Sequence, residues 1–133
     1  MSDKLFEHVK MEEGFSGESY IDTEGYPTIG YGTKLPLTKK VAELILKHRL
    51  DLVVGQIKST LYDLDAPEEV WDILFHMGYQ LGLNGLLKFK NMIKALYAMD
   101  YETASIEGLD SLWAKQTPNR ANRLMKQMKE IRV

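Results

Sequence analysis

The 133-residue sequence contains no cysteine, which excludes a disulfide scaffold, thiol catalysis and thiolate metal sites and leaves the fold to stand on packing alone. It has no run of the roughly 18 uncharged apolar residues that a membrane span needs. Its opening segment, MSDKLFEHVKMEEGF, lacks the continuous apolar core of a secretory leader, so no signal peptide, transmembrane segment or stable membrane insertion is expected. Histidine is scarce. His8, His48 and His76 lie far apart and form no HExxH pair, so each is expected on a surface or in helix packing, with no metal and no cofactor. A G-x-S-x-G elbow for nucleophilic serine chemistry is also missing.

What is present describes an ordinary globular chain: 44% hydrophobic and 27% charged residues, enough for a core in one domain or in two small lobes. The net charge of −2 hides an uneven distribution, about −4 over residues 1–36, +3 over 37–59, −6 over 60–110 and +5 over 111–133. The basic residues Lys115 to Arg132 have no aromatic residues interleaved for base stacking. They read as a solvated helix face, and no nucleic-acid partner is expected.

Local signals order the chain. Ser2 or Asp3 can cap a first helix that Gly14 stops just after Glu13, and the macrodipole disfavours a negative charge at that helix end. From Phe15 to Thr33 the pattern turns to short extended runs broken by Gly17, Asp22-Thr-Glu-Gly25, Pro27, Gly30 and Gly32, which predicts a small hairpin or meander. Thr38 caps a long helix to about Thr60. Asp65-Ala-Pro-Glu68 then opens a central, mostly buried helix through VWDILFHMGYQLG. Shorter helices are expected near 84–98, from the Asp100 cap to about Glu107, and at 109–114. A last helix opens at Thr117-Pro118 and reaches about Ile131. Helix, small sheet, then helices only is an α+β order.

Two site chemistries and a plain structural turn compete for residues 13–34. A phosphate cradle needs Lys-Ser/Thr opening a helix, whereas Gly30-Tyr-Gly-Thr-Lys34 runs into Leu-Pro-Leu, so that reading is set aside. Carboxylates remain: Glu13 at a helix end, Asp22 in a hairpin and the hydroxyl of Thr28 on the return strand. Two carboxyls in separate environments suit glycoside hydrolysis, in which one gives a proton to the leaving oxygen while the other stays ionised. Taken alone the spacing is weak. A Glu closing a helix and an Asp in a D-T-E-G turn are more often structural.

The run Glu13-Gly-Phe, Tyr20-Ile-Asp22-Thr-Glu-Gly-Tyr-Pro-Thr28-Ile-Gly-Tyr-Gly closely resembles the catalytic segment of the phage-type lysozymes, glycoside hydrolase family 24. Gln116-Thr-Pro-Asn-Arg120-Ala-Asn-Arg123, Met77-Gly-Tyr-Gln80-Leu-Gly and Phe89-Lys-Asn91 match further segments in the right order, and the likeness spans nearly the whole chain. It implies a lysozyme-like α+β fold in one domain, 1–133. A lobe at 13–60 would carry the hairpin 15–34, and a helical lobe at 61–133 would take in the first helix, 3–12. A long helix would join the lobes, with a cleft between them.

The activity implied is that of an inverting muramidase cleaving the β-1,4 bond between N-acetylmuramic acid and N-acetylglucosamine of bacterial peptidoglycan. Glu13 takes the general-acid position, and Asp22 and Thr28 handle water. Arg120 falls where the family places a basic partner for the acid, and Tyr79 and Gln80 match positions turned to sugar. Lys34 belongs with this substrate-binding or supporting set. A monomeric endolysin is implied, held in the host bacterial cytoplasm until a separate membrane-permeabilising protein releases it to the periplasm and cell wall for host lysis. Two alternatives stay open: a virion-associated or catalytically silent wall-binding domain, and a lytic transglycosylase.

The sequence also departs from the family pattern. The chain passes from Lys34 through Leu-Pro-Leu directly into the Thr38 helix, a shortened lobe. Thr33 and Arg49 replace a histidine and its facing acid, and Met92 and Glu107 stand at polar cleft positions. The acidic balance predicts activity less salt-sensitive than that of basic relatives.

Overall fold

A computed structural model describes residues 1–132. The elements follow in the order α1 (Asp3–Glu13), β1 (Ser16–Ile21), β2 (Pro27–Gly30), β3 (Thr33–Lys34), α2 (Lys39–Thr60), α3 (Glu68–Leu87), α4 (Lys90–Tyr97), α5 (Tyr101–Leu109), α6 (Leu112–Gln116) and α7 (Pro118–Lys129). This is the lysozyme-like α+β order that the sequence predicts. The chain forms two compact units, residues 1–46 and 47–133, and the boundary between them falls inside α2.

The first unit is organised by backbone. Ser2 accepts from the Leu5 N–H at 3.1 Å to cap α1, and Gly14 closes it with its N–H on the Lys10 carbonyl. The three strands form an antiparallel meander in the order β1-β2-β3, with Tyr20 opposite Thr28 and Thr28 opposite Lys34; β1 bulges between Ser16 and Tyr20. The GYGTK segment is therefore the turn into β3 and the strand itself. After Lys34 only four residues intervene before α2, and Thr38 caps that helix by accepting from the Val41 N–H at 3.2 Å.

The second unit holds the apolar core, built from Ile57 of α2, Val70, Ile73, Leu74 and Met77 of α3, Met92 and Leu96 of α4, and Leu124, Met125 and Met128 of α7. α3 is the central buried helix expected from its apolar run. Its start and end differ from expectation. Pro67, not Asp65, precedes the first turn, with no side-chain cap. The helix expected near 84–98 is split: residues 83–87 continue α3 beyond a kink at Gly82 (φ 75°, ψ 165°), and α4 begins only at Lys90. Backbone freedom at Gly82 allows a break that keeps both apolar segments on the core. Asp100 caps α5 as predicted, accepting from the Thr103 N–H at 3.0 Å. Thr117 precedes Pro118 but caps nothing; its hydroxyl donates to the Trp113 carbonyl at 3.0 Å. Among the described residues, no helix is long and apolar enough to cross a membrane.

Candidate active site

Glu13, Asp22 and Thr28 all belong to the first unit, at the end of α1, in the turn between β1 and β2, and on β2. Glu13 is the last residue of α1, and its carboxylate lies over the turn between β2 and β3. A Cβ built on Gly32 would stand 2.5 Å from Glu13 Oε2 and 3.2 Å from its carboxyl carbon. Gly32 also has φ +78°, so this turn both needs a glycine and uses its bare backbone to make room for the acid. From sequence alone Gly32 reads only as a turn residue. Its position in GYG was visible, but its contact with an acid 19 residues earlier was not.

Asp22 opens the turn between β1 and β2 and is held by it. Its Oδ1 accepts the backbone N–H of Tyr26 at 2.8 Å and of Glu24 at 2.9 Å. The Asp22 N–H donates to the Tyr26 carbonyl, and the Gly25 N–H donates to the Asp22 carbonyl. These bonds favour the ionised form. The Tyr26 N–H does most to lower the Asp22 pKa below the usual carboxylate range, partial desolvation opposes it, and the Glu24 N–H and the Lys34 charge lower it further. Both bonds end on Oδ1, so Oδ2 is left to accept from another partner.

Thr28, on β2, is buried at 2% exposure, and its hydroxyl donates to the Tyr26 carbonyl at 2.9 Å. With its proton committed, the hydroxyl oxygen can serve only as an acceptor towards a third group. Lys34 lies opposite Thr28 on β3, with its ammonium 4.5 Å from the centre of the Tyr26 ring and 3.7 Å from the Glu24 carboxylate.

The remaining candidates belong to the second unit. Tyr79 and Gln80 end the first segment of α3, just before the Gly82 kink, and Tyr79 is 40% exposed. Gln80 Oε1 accepts from the Trp113 indole N–H at 2.9 Å, and its amide nitrogen stands 3.5 Å from the Thr117 hydroxyl. Trp113 therefore fixes which end of the amide is the donor. Sequence reasoning missed this residue because the bond joins positions 33 apart, and no local pattern announces it. Phe89 meets the Trp113 ring edge-on at 5.8 Å, and both line a cavity of about 610 Å³ that also takes in Asn91, Met92, Glu107 and Gln116. Arg120 is half-buried in the first turn of α7.

Residues 10–130 match the model of the phage lysozyme family. The chain belongs to the phage lysozyme family. It is 32% identical over 153 aligned residues to the pre-baseplate central spike protein Gp5 of Enterobacteria phage T4, an alignment covering 90% of this chain. The chain spans only about a quarter of that protein, 26% of its length. It is 28% identical over 160 residues to the probable T4-type lysozyme 1 of Dictyostelium discoideum, covering 94% of this chain and 93% of the relative. The probable T4-type lysozyme 2 of the same organism aligns with the same identity and coverage.

Phage lysozymes are glycosidases, muramidase-type hydrolases of peptidoglycan, and this chain is a lysozyme by membership. Family membership also bears on the geometry of residues 13–34. A carboxyl on a helix end beside bare backbone, a second carboxylate fixed by two N–H groups, and a hydroxyl able only to accept are compatible with acid-assisted addition of water.

Proposed function

We propose that this lysozyme hydrolyses the β-1,4 bond between N-acetylmuramic acid and N-acetylglucosamine with Glu13 as general acid, Asp22 and Thr28 acting on the incoming water, and inversion at the anomeric carbon. The observation that carries this reading is the one-sided hold on Asp22: Oδ1 takes both backbone donors. Its Oδ2 then accepts one proton of the water, the Thr28 oxygen accepts the other, and the water's lone pair is left facing the sugar carbon. Glu13 gives its proton to the leaving oxygen on the opposite side. Inversion asks for carboxyls roughly 6.5–9.5 Å apart, leaving room for that water.

Supporting roles follow the same resemblance. Gln80, its carbonyl end occupied by Trp113, offers an amide donor to the saccharide. Tyr79 presents a ring to it, and Arg120 keeps the supporting role that the resemblance implies. The biological setting proposed is host lysis by an endolysin that reaches the wall after the membrane is opened. The likeness to a phage baseplate spike protein favours a second setting, a particle-borne enzyme that opens the wall during entry. Detection of the chain in purified particles would select the second.

The deciding assay measures reducing-end release from purified peptidoglycan by wild type, Glu13→Gln and Asp22→Asn, with product mass and anomeric configuration. A hydrated α-anomeric product that Glu13→Gln fails to form supports the mechanism. Undiminished hydrolysis by Glu13→Gln overturns it. Anhydro-muramic products would assign a lytic transglycosylase, and binding without release a silent wall-binding domain.

A further inference from the structure

The turn that holds Asp22 contains residues 22–26, and its two donors, the N–H groups of Glu24 and Tyr26, belong to an exposed loop tip. A two-donor grip fixes a carboxylate only as well as the donors themselves are fixed. The side chain of Lys34 reaches both donor residues at once, with its ammonium over the Tyr26 ring at 4.5 Å and 3.7 Å from the Glu24 carboxylate. It comes from β3, whose register to β2 is set by the pairs Thr28–Lys34 and Ile29–Thr33, and the Leu35 N–H bonds the Pro27 carbonyl at 2.8 Å just beyond. Its backbone is thus anchored opposite Thr28 while its charged end is anchored on the turn.

We propose that Lys34 is a positioning residue for Asp22, stapling β3 to the 22–26 turn so that the Glu24 and Tyr26 N–H groups stay aimed at Oδ1. The role assigned is internal to the hairpin, and Lys34 is not a contact to sugar. The proposal rests on the muramidase reading only for its effect on turnover. Within its unit the Asp22 carboxylate is bonded by the backbone N–H groups of Glu24 and Tyr26 and feels the charge of Lys34 on β3, while Glu13 of α1 faces the neighbouring turn at Gly32. Lys34 is the cation among them, and it adds to the hydrogen bonds in keeping Asp22 ionised.

The test compares wild type, Lys34→Met and Lys34→Arg by NMR titration of the Asp22 carboxyl, hydrogen exchange of the Glu24 and Tyr26 amides, and kcat and KM on peptidoglycan. Lys34→Met is expected to move the Asp22 pKa upward and speed exchange at both amides. It should lower kcat about two- to fivefold, the size expected of an exposed charge contact, with KM little changed. Lys34→Arg, which keeps charge and stacking, should restore all three. Unaltered titration and exchange in Lys34→Met, or an effect confined to KM, would overturn the proposal. Titration and exchange need no substrate, so an inactive wild type would count against the muramidase reading while these two measurements still decide the role of Lys34.

Discussion

Residues 1–46 and 47–133 solve different problems with different materials. In the first unit Thr28 is the one residue classed as buried, and order comes from strand register, capped ends, a carboxylate-bound turn and the φ of a few glycines. The second unit holds the buried apolar cluster, with Ile57, Val70, Leu74, Met77, Leu86, Met92, Leu96, Met125 and Met128 excluded from solvent. Hydrogen-bonded turns give directional placement of a few atoms, and an apolar core gives stability without direction. The division predicts that activity and stability can be damaged separately.

The largest effect should come from the first unit. Glu13→Gln is expected to lower turnover by about 10²–10⁴-fold, the usual worth of a positioned general acid, while leaving the thermal midpoint near that of wild type. Turnover on peptidoglycan and a melting curve on the same sample check both halves. A large stability change would break the comparison by giving Glu13 a structural share.

The reverse case lies in α3. Leu74 is fully buried, and Leu74→Ala should cost about 2–5 kcal/mol in denaturant unfolding through lost burial and the cavity left behind. Below the new transition, turnover per folded molecule should stay within a factor of about two, because local relaxation around a cavity is partial and short in range.

Gly32→Ala sharpens the comparison by striking both properties within one unit. Its φ of +78° disfavours any side chain, and the new Cβ would displace the Glu13 carboxylate. A stability loss of about 1 kcal/mol is expected from the left-handed backbone, together with a fall in kcat larger than that stability loss explains. Equal losses in Gly32→Ala and in a strain control, Gly30→Ala, with φ +70° and a Cβ that meets nothing, would show that only the backbone matters.

Legibility in the sequence follows the same divide. Local devices could be read directly: the caps at Ser2, Thr38 and Asp100, the glycine stop after Glu13 and the meander through Gly30 and Gly32. Each cap or stop depends on residues three or four apart. Features that depend on distant packing could not be read this way. The Trp113 hold on Gln80 and the Glu13–Gly32 contact have no local signal, and the boundary at Lys88–Phe89 was hidden because Gly82 bends α3 without ending its apolar pattern. Asp65 and Thr117 have the right residue types for caps, yet Pro67 and the Trp113 carbonyl decide those positions. Motif resemblance pointed to Glu13, Asp22 and Thr28, where spacing alone left a structural reading in front.

A smaller effect separates the two carboxylates that backbone donors hold, Asp22 in the first unit and Asp100 at the start of α5 in the second. Both pKa values are lowered, Asp22 first by the Tyr26 N–H and Asp100 first by hydrogen bonding to Thr103. A depressed folded pKa gives stability that is present above the unfolded value of about 3.9 and lost as pH falls through the folded value. Acid unfolding should therefore begin below about pH 4 for both groups. Asp100→Asn should flatten that acid limb without touching turnover, whereas Asp22→Asn should flatten it and also lower turnover at every pH, by less than Glu13→Gln does.

The smallest effect tests whether an alkaline group behaves with the opposite sign. Tyr97 of α4 donates its hydroxyl to Asp63 Oδ1 at 2.6 Å, and this bond, with some desolvation and the Asp63 charge, pushes its pKa up to about 12. Here the folded state favours the protonated form. The stabilisation is complete below the unfolded tyrosine value of about 10 and is lost as pH rises through the folded value. Both side chains are exposed, so Tyr97→Phe should cost only about 0.5–1 kcal/mol at neutral pH in urea unfolding. The difference from wild type should shrink towards zero above pH 12, where wild type has lost the bond as well. A difference that persists there would mean that Tyr97 holds α4 by packing its ring, and a loss of turnover at neutral pH would show that the second unit shapes the chemistry as well as the core.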